Sequence, residues 1–132
     1  MANSRIAKEL VVEAADEKGL LAKIAGAVSS QGVNIQAICA CSEEGKAYFM
    51  FVTSDNERAA EALKDAGYST TEKEVVVTEM EDIVGILAEV SQKISDAGIN
   101  MGHIYGTAPG WGAASTIVVG SSDNAKIKEI LA

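Results

Sequence analysis

The sequence predicts an α+β protein made of two tandem sandwiches, each with the order β-α-β-β-α-β. Three observations predict it. Residues 9–35 lie over 75–101 without a gap, so that Glu13 meets Glu79, Asp16 meets Asp82, Gly19 meets Gly85, Leu21 meets Leu87, Ser29 meets Ser95, Gly32 meets Gly98 and Asn34 meets Asn100. Within each copy, β-branched apolar runs alternate with runs whose apolar residues recur at helical spacing. A repeat of about 66 residues is too long for one unit of a solenoid, so the chain reads as two small domains, 1–72 and 73–132.

The elements follow in order. "ELVVEA" (Glu9–Ala14) is a strand by composition. Asp16 follows and can cap a helix. Leu21, Ile24, Ala25 and Val28 then fall on one helix face, and Gly32 stands where a helix wants a left-handed stop. "NIQAICAC" is a second strand, "EEG" a turn and "KAYFMFV" (Lys46–Val52) a third strand. Ser54 or Asp55 caps a second helix that turns Ala59, Ala60 and Leu63 inward. "GYSTTEKEVVVTE" (Gly67–Glu79) has helix breakers first and β formers after.

The second copy repeats the order. Val75–Glu79 is a strand; Ile83, Leu87, Val90 and Ile94 mark a helix face that Gly98 ends. Asn100–Thr107 and Ser115–Val119 are strands around the hairpin loop "APGWG" (Ala108–Gly112). A two-residue shift in that hairpin restores the match, bringing "SDN" at Ser54–Asn56 over "SDN" at Ser122–Asn124. This is the split-βαβ, or ferredoxin-like, arrangement. The second copy reaches Ala132 directly after its last helix, so it is expected to lack its own last strand. Its sheet is expected to be three-stranded or completed by a partner chain. "YFMFV" and "TIVV" are apolar on both faces, where a sheet with one wet face would alternate, so the second face is expected to be covered and a homodimer is favoured.

Charge and composition exclude several classes. A formal net charge of −8 opposes nucleic-acid binding, which needs clustered Lys and Arg. "GKAYFMFV" echoes the aromatic strand of an RNA-recognition sheet, but the copy at Ser115–Val119 has no aromatic. No apolar run has the length of a membrane span, and "MANSRIAKEL" has no apolar signal region, so a cytoplasmic protein is expected. Cys39 and Cys41, spaced i, i+2, make a poor metal site alone and read as small strand residues. No nucleophile–base pair, metal cluster or phosphate loop is found, so neither catalysis nor a cofactor is expected.

"DEKGLLAKIAGAVSSQGVNIQAI" (Asp16–Ile38) resembles the opening of an ACT domain: a strand, Asp-x-x-Gly-x-Leu, an amphipathic helix, then Gly-Val-Asn-Ile leading into a strand. "DIVGILAEVSQKISDAGINMGHI" (Asp82–Ile104) keeps the same frame, and the likeness spans residues 9 to 132. Lys18 and Val84 stand where that family often has a proline before the loop glycine. The resemblance implies a small-molecule ligand, usually an amino acid, held between two units, and regulation of an attached or partner enzyme. It places Asp16, Gly19 and Leu20 in the first loop, with Asn34, Ile35 and Gln36 on the strand that faces a neighbour. In the second copy the matches are Asp82, Gly85 and Ile86, then Asn100, Met101 and Gly102, with His103 beside them.

The residue types suit that role. Helix N-terminal amides attract a carboxylate, glycine allows close approach, and an asparagine both donates and accepts. Asp16 or Asp82 could pair with an ammonium. Each has a plainer reading too: aspartates as caps, glycines as helix stops or packing sites, asparagines as turn residues, and His103 as a hydrogen-bonded strand residue. Trp111, on the glycine-flanked loop, reads as a contact surface or an ordinary turn residue. The rival to a ligand sensor is a subunit that only dimerises or docks on an enzyme or transcription factor.

Overall fold

A computed structural model describes residues 3–110 and 112–132. The expected contact role of Trp111 therefore lies outside the described residues. The strands are β1 (Asn3–Ala15), β2 (Ile35–Glu43), β3 (Lys46–Thr53), β4 (Thr70–Glu81), β5 (Met101–Gly106) and β6 (Ala114–Ser121). The helices are α1 (Leu20–Ser29), α2 (Asn56–Asp65), α3 (Ile86–Asp96) and α4 (Asn124–Ile130). The βαββαβ pattern thus occurs twice.

The chain divides into two compact units, one of Lys8–Lys73 and one that joins residues 3–7 to Glu74–Ala132. The first unit orders its strands β2-β3-β1-β4, and β1 pairs antiparallel with β3 with Leu10 opposite Phe51. Its core lies between sheet and helices: Leu10, Val12, Phe49 and Phe51 meet Ile24 and Val28 of α1 and Leu63 of α2. The second unit orders its strands β1-β4-β6-β5, and Val76, Met80, Ile117 and Val119 meet Val90, Ile94 and Ile127.

The open end of the second copy is closed from within the same chain. Residues 3–7 of β1 belong to this unit and lie beside β4. The Ser4 and Thr78 hydroxyls share a hydrogen bond of 2.7 Å, and Ser4 Oγ also donates to the Leu131 carbonyl at 3.2 Å. The sheet is neither three-stranded nor dependent on a partner chain. The second faces are buried as well: Val52 and Ala37 in the first unit, Val75, Val77 and Val118 in the second.

The repeated "SDN" is a lock used once per unit. Asp55 caps α2, accepting from Arg58 N at 3.2 Å, while Asn56 Nδ2 donates to the Lys8 carbonyl at 2.9 Å. Asp123 caps α4, accepting from Lys126 N at 3.2 Å, while Asn124 Nδ2 donates to the Glu74 carbonyl at 3.0 Å. Each asparagine oxygen is held in turn by Thr53 Oγ1 at 2.6 Å or Ser121 Oγ at 3.0 Å. One side chain therefore ties a helix start to the unit's first long strand.

Candidate functional site

Both first helices begin in the same unusual way. The residue before α1 is Gly19 at φ 78°, and the residue before α3 is Gly85 at φ 89°, both left-handed and neither followed by a side-chain cap. That φ favours glycine, which explains the repeated Gly-x-Leu frame. It also corrects the expectation that Asp16 and Asp82 cap these helices. Three residues before the left-handed glycine that holds the N-cap position, their carboxylates do not cap. In α3 the Ile86 amide already donates to the Ile83 carbonyl at 3.2 Å; the next amides of that turn, and those of the first turn of α1, meet no acceptor among the described residues.

Each unit has a cleft at this helix start, and the two clefts are built from equivalent positions. The first, of about 310 Å³, lies among Asp16, Gly19, Leu20 and Leu21, the end of β2 (Ala40, Cys41, Ser42), and Ala47 and Phe49 of β3. The second, of about 350 Å³, lies among Asp82, Ile86 and Leu87, the end of β5 with Thr107 and Ala108, and Ser115 and Ile117 of β6. The equivalence includes the two-residue shift, since Ala47 answers Ser115 and Phe49 answers Ile117. β2 and β5 are edge strands of their units, so some of their backbone groups face outward, unused by the sheet.

Leu21 and Leu87, expected on the core face, stand at the rims of these clefts with 49% and 58% of their surface exposed. The core face is instead Leu20, Ile24 and Val28 in α1, and Val90 and Ile94 with half-buried Ile86 in α3. Two adjacent leucine-like residues open each helix, and the glycine sets the helix phase so that the first points in.

The clefts differ in charge and in wiring. Asp16 is exposed, and its carboxylate meets no donor among the described residues; only its backbone N is used, donating to the Gly45 carbonyl at 3.0 Å. Asp82 is half-buried. Its Oδ2 accepts from Gly110 N at 3.0 Å, its N donates to the Ala113 carbonyl at 2.8 Å, and its carbonyl accepts from Gly112 N at 3.2 Å. It therefore organises the longer β5–β6 loop. The floors differ too. Ala40 sits opposite Phe49 in the first unit and Gly106 opposite Ile117 in the second. A Cβ on Gly106 would lie 3.3 Å from Ile117 Cγ1, so the glycine leaves that side chain its place. The Ser115 hydroxyl is spent on the Met80 carbonyl at 2.9 Å.

Asn34, Ile35 and Gln36, and their counterparts Asn100, Met101 and Gly102, stand at the other end of β2 and β5. Four to six residues, roughly 13–20 Å of strand, lie between the first three and Ala40, and two to four, roughly 7–13 Å, between the second three and Ile104, where the clefts of their own units begin. Both strands shift register there, between Ile35 and Ala37 and between Met101 and His103, so Gln36 and Gly102 are bulge residues. Ile35 and Met101 pack on the cores. Asn34 exchanges backbone bonds with Ser54, donating to its Oγ and accepting from its N, both at 3.0 Å. The side chains of Asn34 and Asn100 are exposed.

His103 is placed by packing. It lies opposite Gly120, where the first unit has Ala37 opposite Val52. A Cβ on Gly120 would sit 2.6 Å from His103 Nδ1 and 2.9 Å from Nε2, so the ring occupies the space a larger residue at 120 would fill. It stacks on Tyr105 with centroids 6.1 Å apart. Large and small have changed strands between the copies. That exchange was legible in the sequence, but only once the hairpin shift was applied to Gly120, since Ala37 and His103 match without it. Cys39 and Cys41 are free thiols, half-buried and exposed.

Residues 8–66 and 75–132 each match the family profile of the ACT domain. This chain belongs to the ACT domain family. The match supports a small-molecule-binding regulatory role. Three solved structures share the fold of this tandem ACT chain. A protein from Bacteroides thetaiotaomicron superposes with a TM-score of 0.86 at 23% identity, over 97% of this chain and 88% of that one. The regulatory subunit of aspartate kinase from Thermus thermophilus gives 0.74 at 13% identity, over 98% and 93%. Its counterpart from Thermus flavus gives 0.67 at 14%, over 98% and 94%. No curated protein matches the chain. Among the described residues no helix is long and apolar enough to cross a membrane.

Proposed function

We propose that this tandem ACT protein is a non-catalytic regulator that binds an amino acid at the helix-start clefts and passes that information to a partner. One observation carries the reading: the same cleft is built twice, around an uncapped helix N-terminus, a left-handed glycine and an aspartate. Open amides suit the α-carboxylate, Asp16 or Asp82 suits the ammonium, and exposed Leu21 and Leu87 suit the side chain. Asn34, Ile35, Gln36, Asn100, Met101, Gly102 and His103 would complete such a site only from a neighbouring unit, as the family resemblance implies. The partner would be an enzyme, by analogy with the aspartate kinase regulatory subunits. The working form would be a cytoplasmic homodimer, a setting that suits two unpaired thiols.

Thermal denaturation with each of the twenty amino acids tests this. One ligand should raise Tm with concentration, by about 2.7 kcal/mol of added stability at a hundredfold excess over Kd. Gly19→Val and Gly85→Val should each block their own cleft, since both positions need φ above 70°. Twenty flat responses would leave the second reading, a subunit that only docks. That reading is favoured by Val84, 92% exposed beside exposed Leu87.

A further inference from the structure

The second unit's cleft differs from the first in ways that bear on what it takes and what it does. Its side-chain walls are largely apolar: Ile86 and Leu87 from α3, Ile104 from β5 and Ile117 from β6. Its one carboxylate, Asp82, is already engaged, holding Gly110 N at 3.0 Å across 28 residues of chain. In the first unit the equivalent carboxylate is exposed, and a tight turn at Glu44–Gly45 replaces the loop.

Resting on the amino-acid reading above, we propose that the second cleft is the sensing site, that it takes a zwitterion with an apolar side chain, and that Asp82 exchanges Gly110 for the ligand's ammonium. A carboxylate accepts a stronger bond from an ammonium than from a neutral amide. Filling the cleft therefore competes directly with one of the three bonds by which Asp82 holds the β5–β6 loop, and leaves its two backbone bonds, to Ala113 and Gly112, in place. At Gly110 the loop leaves its resting position when the ligand arrives, and a partner reads the loop. Binding at the first cleft has no such consequence, because the Asp16 carboxylate holds no donor among the described residues; only its backbone N is used, on the Gly45 carbonyl.

The chain's only tryptophan, Trp111, follows Gly110 in sequence, so intrinsic fluorescence reports on this loop without a label. Leucine, isoleucine, valine and methionine are titrated while calorimetry follows binding and emission follows the loop. At least one should bind and shift the emission together. Asp82→Asn keeps a carbonyl oxygen for Gly110 N and removes the charge; it should leave resting emission unchanged and weaken binding about ten- to a hundredfold. Asp82→Ala should shift resting emission before any ligand is added. The proposal is overturned if a ligand binds with no change in emission, if Asp82→Asn binds as tightly as the native chain, or if Asp16→Ala rather than Asp82→Ala removes the response. Calorimetry that shows no binding of any amino acid would instead remove the underlying reading.

Discussion

The two units run one plan with different materials. The first fills its β2–β3 floor with Phe49 and keeps Val52 against Ala37; the second uses Ile117 over Gly106 and sets His103 against Gly120. In the His103–Gly120 pair volume has moved from one strand to its neighbour, as close-packed interiors favour, whereas the Ile117–Gly106 pair is smaller at both positions than Phe49–Ala40. Polar positions behave differently. Asp55 and Asp123, like Asn56 and Asn124, have kept both identity and bonds. Asp16 and Asp82 have kept identity and changed partners. Structural polar groups are held by geometry that both copies need, whereas groups at an open cleft are free to diverge.

The largest effect should come from the two cores. Phe51→Ala should cost about 3–5 kcal/mol in urea unfolding, and Val119→Ala at the equivalent place about half as much. Equal losses would mean that the second core leans on Val119 more than its size suggests. Next is the exchanged pair. Gly120→Val should destabilise by about 1–3 kcal/mol through the clash with His103. Adding His103→Ala, which restores the first unit's arrangement, should recover most of it in a double-mutant cycle; additive losses would break the volume-exchange account.

Smaller again are the caps. Asp55→Ala and Asp123→Ala should each cost about 1 kcal/mol, visible as a lower Tm. Asp16→Ala should show no capping loss, since Gly19 holds the N-cap position. The smallest effect should come from the exposed pair Lys46–Glu13 at 3.1 Å, which has no counterpart at Ala114. The hydrogen bond to Glu13, and then its charge, raise the Lys46 pKa above its ordinary 10.5. That stabilisation is fully present below the ordinary value and is lost as pH rises through the raised one. Glu13→Gln should accordingly leave Tm almost unmoved at pH 7 and remove only a slight difference between pH 9 and 12.

Much of the fold was legible because the chain states it twice. The repeat exposed the Gly19/Gly85 frame, the hairpin shift and the matching "SDN" segments, and each corresponds to a repeated piece of geometry. What could not be read was whatever depends on one residue's exact phase or on distant chain. Leu20 and Leu21 are alike as letters, and only the left-handed glycine decides which points inward. "NSRIAKEL" carries no strand pattern strong enough to reveal that residues 3–7 serve a unit that begins at Glu74. The resemblance sets the Asp16 loop against the Asn34 strand of a neighbouring unit, and within a unit the two stand at opposite ends of β2. Distance along an element was known; which end meets which loop was not.

The hydrogen bond from Ser4 to Leu131 joins positions 127 apart. It sets an order in time. Lys8–Lys73 can assemble from neighbours in sequence, while the other unit must bring nearly the whole chain into one loop before its sheet is finished. Refolding should therefore show a fast event followed by a slower one, and the slow event is when residues 3–7 find β4. Until then β4 offers a bare edge to any strand nearby, so crowded or concentrated refolding would draw its misassembled species from this step.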